Sequence, residues 1–72
     1  MAEHGKPETG VIKFFSVDRG YGFIIPDDDD RDLFFHITHV DADFHPTPGA
    51  RVSYSRSTSR SGKPQADNVV PA

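Results

Sequence analysis

At 72 residues the chain is expected to form one domain, and so short a chain buries only about 60% of the surface it exposes when unfolded, which leaves stability marginal. It contains no cysteine, which excludes disulfide staples and thiolate metal ligands and favours a reducing, cytoplasmic setting, and its apolar runs are far too short for a membrane helix or a secretory segment. The net charge of −3 is unevenly placed: residues 1–26 are neutral, 27–43 carry seven aspartates against Arg31, and 44–72 carry Arg51, Arg56, Arg60 and Lys63 against Asp67, so one small body can hold a basic face and an acidic edge.

Residues 1–8 lack periodicity and read as a flexible tail, with the folded domain spanning residues 9–72. Short strands separated by turn chemistry follow. Gly10–Phe15 is β-branched and aromatic, and residues 16–20 make a turn. Tyr21–Ile25 is a second strand, stopped by Pro26 and the run Asp27–Asp30. Leu33–Ile37 is a third. Residues 38–49 form a longer connection in which Pro46 and Pro48 oppose a helix, although a single turn at Thr38–Val40, capped by Thr38, is compatible with the sequence. Arg51–Ser55 is a fourth strand, Ser57–Lys63 a polar loop, and Gln65–Val70 a fifth strand. No window shows helical periodicity. Five short strands without a substantial helix point to an all-β chain closed into a small barrel, because closure removes exposed sheet edges.

The sharpest chemical signal is Arg19-Gly20-Tyr21-Gly22-Phe23-Ile24, a ribonucleoprotein-type pattern of basic residue, glycine, aromatic, glycine, Phe and aliphatic residue. On a strand Tyr21 and Phe23 share one face, Arg19 adds a cation beside them, and Gly20 and Gly22 are expected to leave the backbone open for bases to lie on the rings. The alternative is that these aromatics fill a barrel core. In Asp32-Leu33-Phe34-Phe35-His36-Ile37, Phe34 and His36 share one face while Leu33, Phe35 and Ile37 share the other, so one face reads as core and the other as a second stacking pair. A purely structural strand has little use for His36 in line with Phe34.

These two segments resemble the two ribonucleoprotein motifs of the cold-shock domain family. Gly10-Val11-Ile12-Lys13-Phe14-Phe15-Ser16 is similar to the family's first strand, Gly49-Ala50-Arg51-Val52-Ser53-Tyr54 to its fourth and Pro64-Gln65-Ala66-Asp67-Asn68-Val69 to its fifth, so the likeness runs from about Thr9 to Val70. The long motif precedes the short one and helices are missing, which argues against the RRM fold. The resemblance implies a five-stranded antiparallel OB-fold barrel with Greek-key topology that stacks bases on its second and third strands. Carried onto this chain, the nucleic-acid-binding positions are Lys13, Phe14, Arg19, Tyr21, Phe23, Phe34, His36, Phe44, Arg60 and Gln65, and the core positions Ile12, Ile24, Leu33, Phe35, Val40, Val52 and Val69. Alternation leaves the facing of Phe15 open. The chain departs from the family at Phe14, where Trp is usual, at Ile37, where Phe is usual, in a shorter 38–49 connection, and in the acidity of Asp27–Asp30.

Other chemistries fit less well. His36, His39, Asp41, Asp43 and His45 are metal-ligand types, but no pair sits on a helix at i, i+4 and His36 belongs to the stacking motif, while Asp32 and Thr38 stand where a calcium loop needs Gly and Glu, so neither metal nor cofactor is expected. No phosphate-cradling glycine loop or nucleophile elbow is present, so the chain is not expected to be an enzyme or to take a small-molecule substrate. The expected partner is single-stranded RNA or DNA, bound by a cytoplasmic monomer acting as a sequence-tolerant RNA chaperone. The rival is a small barrel whose aromatic face binds protein.

Overall fold

The computed structural model describes residues 7–72. Within them the chain forms β1 (Glu8–Ser16), β2 (Tyr21–Pro26), β3 (Leu33–His36), β4 (Arg51–Thr58) and β5 (Pro64–Pro71), with one 3₁₀ turn, η1 (Ile37–His39), after β3. Each strand begins and ends at the turn chemistry the sequence supplies. The β1–β2 turn closes with Gly20 N–H donating to Ser16 C=O at 2.8 Å, and Gly20 takes φ +72°, where a side chain is strained. β4 runs to Thr58, three residues beyond its expected end, so the loop to β5 is confined to residues 59–63. Glu8, read from sequence as tail, is the first residue of β1, and residues 1–6 of that expected tail lie outside the described residues.

The strands close into a barrel in the order β1-β2-β3-β5-β4. β1, β2 and β3 form an antiparallel meander, β4 pairs antiparallel with β1 and β5, and closure comes from a short parallel contact between β3 and β5 at Phe34 and Gln65. The chain is thus all-β, as the strand pattern predicts.

Two irregularities set which side chains enter the barrel. In β1 the register to β2 slips between Ile12 and Phe14: Ile12 faces Ile24 in the pairing, yet Phe14 faces Phe23. The extra residue puts Lys13 and Phe14 together on the outside and swings Phe15 toward the core, where its ring stacks on Phe35 at 5.9 Å and 10°. In β5 a second slip lies opposite Ser53–Ser55, where Asn68 adopts φ +53°, a conformation Asn tolerates better than most residues. It leaves Asp67 and Asn68 outward while Ala66 and Val69 are buried.

The core consists of Ile12, Ile24, Leu33, Phe35, Val52, Tyr54, Ala66 and Val69, with Phe15, Val40, Phe44 and Ala50 packed against it. Val40, expected fully inside, is half-buried and bridges to Val69. Tyr54, which alternates with Val52 along β4, and Ala66 join the core although neither was among the expected core positions. The 3₁₀ turn is capped by His36 rather than Thr38: the Thr38 N–H donates to His36 Nδ1 at 3.2 Å, because the chain is still extended at His36.

Candidate nucleic-acid interface

The outward face of β1, β2 and β3 carries a continuous set of rings. Tyr21 lies 6.3 Å from Phe14, 6.1 Å from Phe23 and 5.7 Å from Phe34, and Phe23 lies 6.0 Å from Phe34, measured between centroids. Alternation on β2 and β3 turns Tyr21, Phe23, Phe34 and His36 outward while Ile24, Leu33 and Phe35 point in. The β1 bulge supplies Phe14, which is 44% exposed. Each ring is braced by tilted or edge-to-face neighbours, the arrangement aromatic quadrupoles favour, so the surface is preorganised. Its openness does not come from Gly22, contrary to the sequence expectation. Gly22 is buried, and a Cβ there would collide with the Phe14 carbonyl oxygen and lie 2.9 Å from the Phe35 ring. This glycine serves close packing beneath the platform.

His36 pairs with Tyr21 across β2 and β3. Its Nδ1 accepts from the Thr38 N–H and lies 2.9 Å from the Thr38 hydroxyl, so the hydrogen bonding assigns the ring proton to Nε2, the nitrogen on the Gly20 side. Beside Phe23 and Phe34 the surface deepens into an open cleft of about 570 Å³, also lined by Asp32, Ser59, Ser61, Lys63, Pro64 and Gln65. A volume of that order lies within the range of small-ligand clefts, about 300–1,000 Å³. Gln65 sits at the β3–β5 closure, opposite Phe34.

Of the ten positions expected to bind, the structure gathers Lys13, Phe14, Tyr21, Phe23, Phe34, His36 and Gln65 on or beside one face. Arg19 is exposed in the β1–β2 turn and Arg60 in the β4–β5 loop, and neither forms an ion pair among the described residues. Phe44 does not join the ring cluster and packs against the core instead. Sequence reasoning missed Ser59, Ser61 and Pro64 as cleft-lining residues; the polar 57–63 stretch was the available signal, but its closeness to Phe34 arises only when β5 closes on β3.

Three of the seven aspartates between residues 27 and 43, Asp27, Asp29 and Asp32, lie against a cation. Asp27 accepts from Arg51 at 2.9 Å and from Thr9, contacts that hold its carboxyl below the usual carboxylate range. Arg56 makes a two-pronged contact with Glu8 and approaches Asp29 at 4.0 Å. Asp32 holds Lys13 Nζ at 2.8 Å on the rim of the cleft. Among the described residues, Lys63 at the cleft and Arg19, Arg31 and Arg60 in exposed loops form no ion pair.

Residues 8–72 match the family described as the 'Cold-shock' DNA-binding domain. The chain is 39% identical over 64 residues to the cold shock-like protein CspG of Escherichia coli, across 86% of this chain and 90% of that protein. It is 39% identical over 66 residues to cold shock protein 1 of Lactiplantibacillus plantarum, across 89% and 97%. Among solved structures, drosophila Unr CSD456 superposes with a TM-score of 0.79 at 26% identity over 94% of this chain, which spans only 27% of that longer one.

Proposed function

Because this chain belongs to the cold-shock DNA-binding domain family, we propose that it binds single-stranded RNA or DNA by base stacking and acts as a sequence-tolerant RNA chaperone, with effects on transcription or translation following from which strands it keeps open. The observation that carries this reading is the connected cluster Phe14, Tyr21, Phe34 and Phe23, with centroids 5.7–6.3 Å apart. Consecutive bases in a stacked helix rise by about 3.4 Å. Rings nearly twice as far apart are best filled by bases of an extended, unpaired strand.

The roles follow from position. Phe14, Tyr21, Phe23 and Phe34 take base faces, His36 offers its Nε2–H, Gln65 meets a base edge in the cleft, and Lys13, Arg19, Arg60 and Lys63 approach phosphates. Lys13 must first exchange Asp32 for a phosphate. Stacking of about 1–3 kcal/mol per base over roughly four bases gives a gross ~4–12 kcal/mol, reduced by ordering costs. That competes with short, weak hairpins and not with long duplexes. The function needs no catalytic step, metal or cofactor, and fits a monomer in the cytoplasm.

Titration with a heptameric oligothymidine tests it. Of the chain's two tyrosines, Tyr54 is buried and Tyr21 lies within the ring cluster, so bound bases should quench tyrosine emission. An unchanged signal together with no complex in gel shift would favour the rival protein-binding module.

A further inference from the structure

Gln65, which lines the cleft beside Phe34, has its side chain held by a neighbour two residues along the same strand. Gln65 Nε2 donates to Asp67 Oδ1 at 3.2 Å, and His39 Nδ1 reaches the same oxygen at 3.2 Å. Both distances fit hydrogen bonds. A carboxylate only accepts, so its partner on Gln65 has to be the amide nitrogen; the flipped amide would set two oxygens together. Asp67 shares the outward face of β5 with Gln65 on either side of buried Ala66, and its approach to His39 ties β5 to η1. Free rotation of the Gln65 amide, which would let it present either N–H or C=O, is thus removed, and the Oε1 end is the one turned away from Asp67.

We infer that Asp67 is a positioning residue that sets the base preference of the cleft: by holding the Gln65 nitrogen, it leaves the Gln65 carbonyl to face the bound base, which favours bases bearing an exocyclic amino group over thymine or uracil. The inference rests on the functional reading above. Cytosine and thymine isolate the effect. Both are pyrimidines that stack on the same rings, but cytosine offers a donor where thymine carries a carbonyl oxygen. An acceptor facing the first gains a hydrogen bond, and facing the second it leaves two acceptors opposed.

The test compares heptameric oligocytidine and oligothymidine against the unaltered chain, Asp67→Ala, Asp67→Asn, Gln65→Ala and the double variant Asp67→Ala with Gln65→Ala. One hydrogen bond gained or lost corresponds to a change of about three- to tenfold in the ratio of the two affinities. Asp67→Ala should lower the preference for oligocytidine by that factor. Asp67→Asn, close in shape, should lower it too, because an asparagine amide also donates and so admits the flipped Gln65. In the Gln65→Ala background Asp67→Ala should leave the ratio unchanged, a result that a general structural role for Asp67 does not give. A ratio unaltered in both Asp67 variants while they remain folded, or a shift that persists without Gln65, overturns the assignment. Failure of the unaltered chain to bind either oligonucleotide overturns the functional reading beneath it, so the two failures are distinct.

Discussion

Replacing Phe34 separates the stacking surface from the fold. Phe34 is half-buried on β3, with its ring 5.7 Å from Tyr21 and 6.0 Å from Phe23. Truncation to Ala removes one stacking face, which lowers affinity by about 1–3 kcal/mol, or roughly five- to 150-fold in Kd. It also removes two ring pairs, each contributing about 0.5–1.5 kcal/mol beyond area burial, so the barrel itself loses about 1–3 kcal/mol. In a chain this small that loss is a large part of total stability. Phe34→Ala therefore has to be read beside Phe34→Leu, which keeps most of the apolar bulk over the Leu33–Phe35 strand but offers no flat ring. Both variants should be titrated with oligothymidine at low temperature by Tyr21 emission, alongside thermal unfolding. Phe34→Leu should bind several-fold more weakly with a small drop in Tm, and Phe34→Ala more weakly still with a larger one. If fully folded Phe34→Leu binds within about twofold of the unaltered chain, below the weakest expected stacking loss, Phe34 is not a stacking platform.

Other outcomes follow from the same geometry. Among the described residues Arg51 and Arg56 are tied to Asp27 and Glu8, which leaves Lys13, Arg19, Arg31, Arg60 and Lys63 for phosphates; at about −0.7 per contact, the slope of log K against log salt should be no steeper than about −3.5, and a slope beyond about −4 would show that the paired arginines are released on binding. Gly22→Ala should destabilise the barrel by about 1–3 kcal/mol, since its methyl must displace the β1 backbone or the Phe35 ring; an unchanged Tm would mean that Gly22 is not packing-limited. The Tyr54 hydroxyl is buried with no hydrogen-bond partner among the described residues, so Tyr54→Phe should raise stability by about 1 kcal/mol in chemical denaturation, and a loss instead would reveal a bond that the hydroxyl makes. Burial also holds the Tyr54 phenol above its ordinary range, so above about pH 10 the unfolded chain ionises first and stability falls as pH rises; Tyr54→Phe should flatten that alkaline loss.

The sequence by itself determined the strands of this protein and the two-sidedness of the central ones. Tyr21 and Phe23 stand opposite Ile24, and Phe34 and His36 opposite Leu33 and Phe35, because side chains on a strand alternate strictly and these residues alternate in character. For the same reason Ile12, Val52 and Val69 were legible as core. What the sequence could not decide depends on pairing. Phe14 points outward and Phe15 inward only because β1 slips by one residue against β2, and a bulge belongs to two strands together. Phe44 lies in a connection without periodicity, so its packing against the core had no signal. Asp27, Asp28 and Asp30 are exposed as in a solvated loop, but only barrel closure brings Asp27 to Arg51, 24 residues away, and Glu8 to Arg56, 48 residues away. The link from His39 through Asp67 to Gln65 likewise joins η1 to β5 across the closure. Local periodicity is a property of consecutive residues, whereas these contacts exist only once distant strands share an edge.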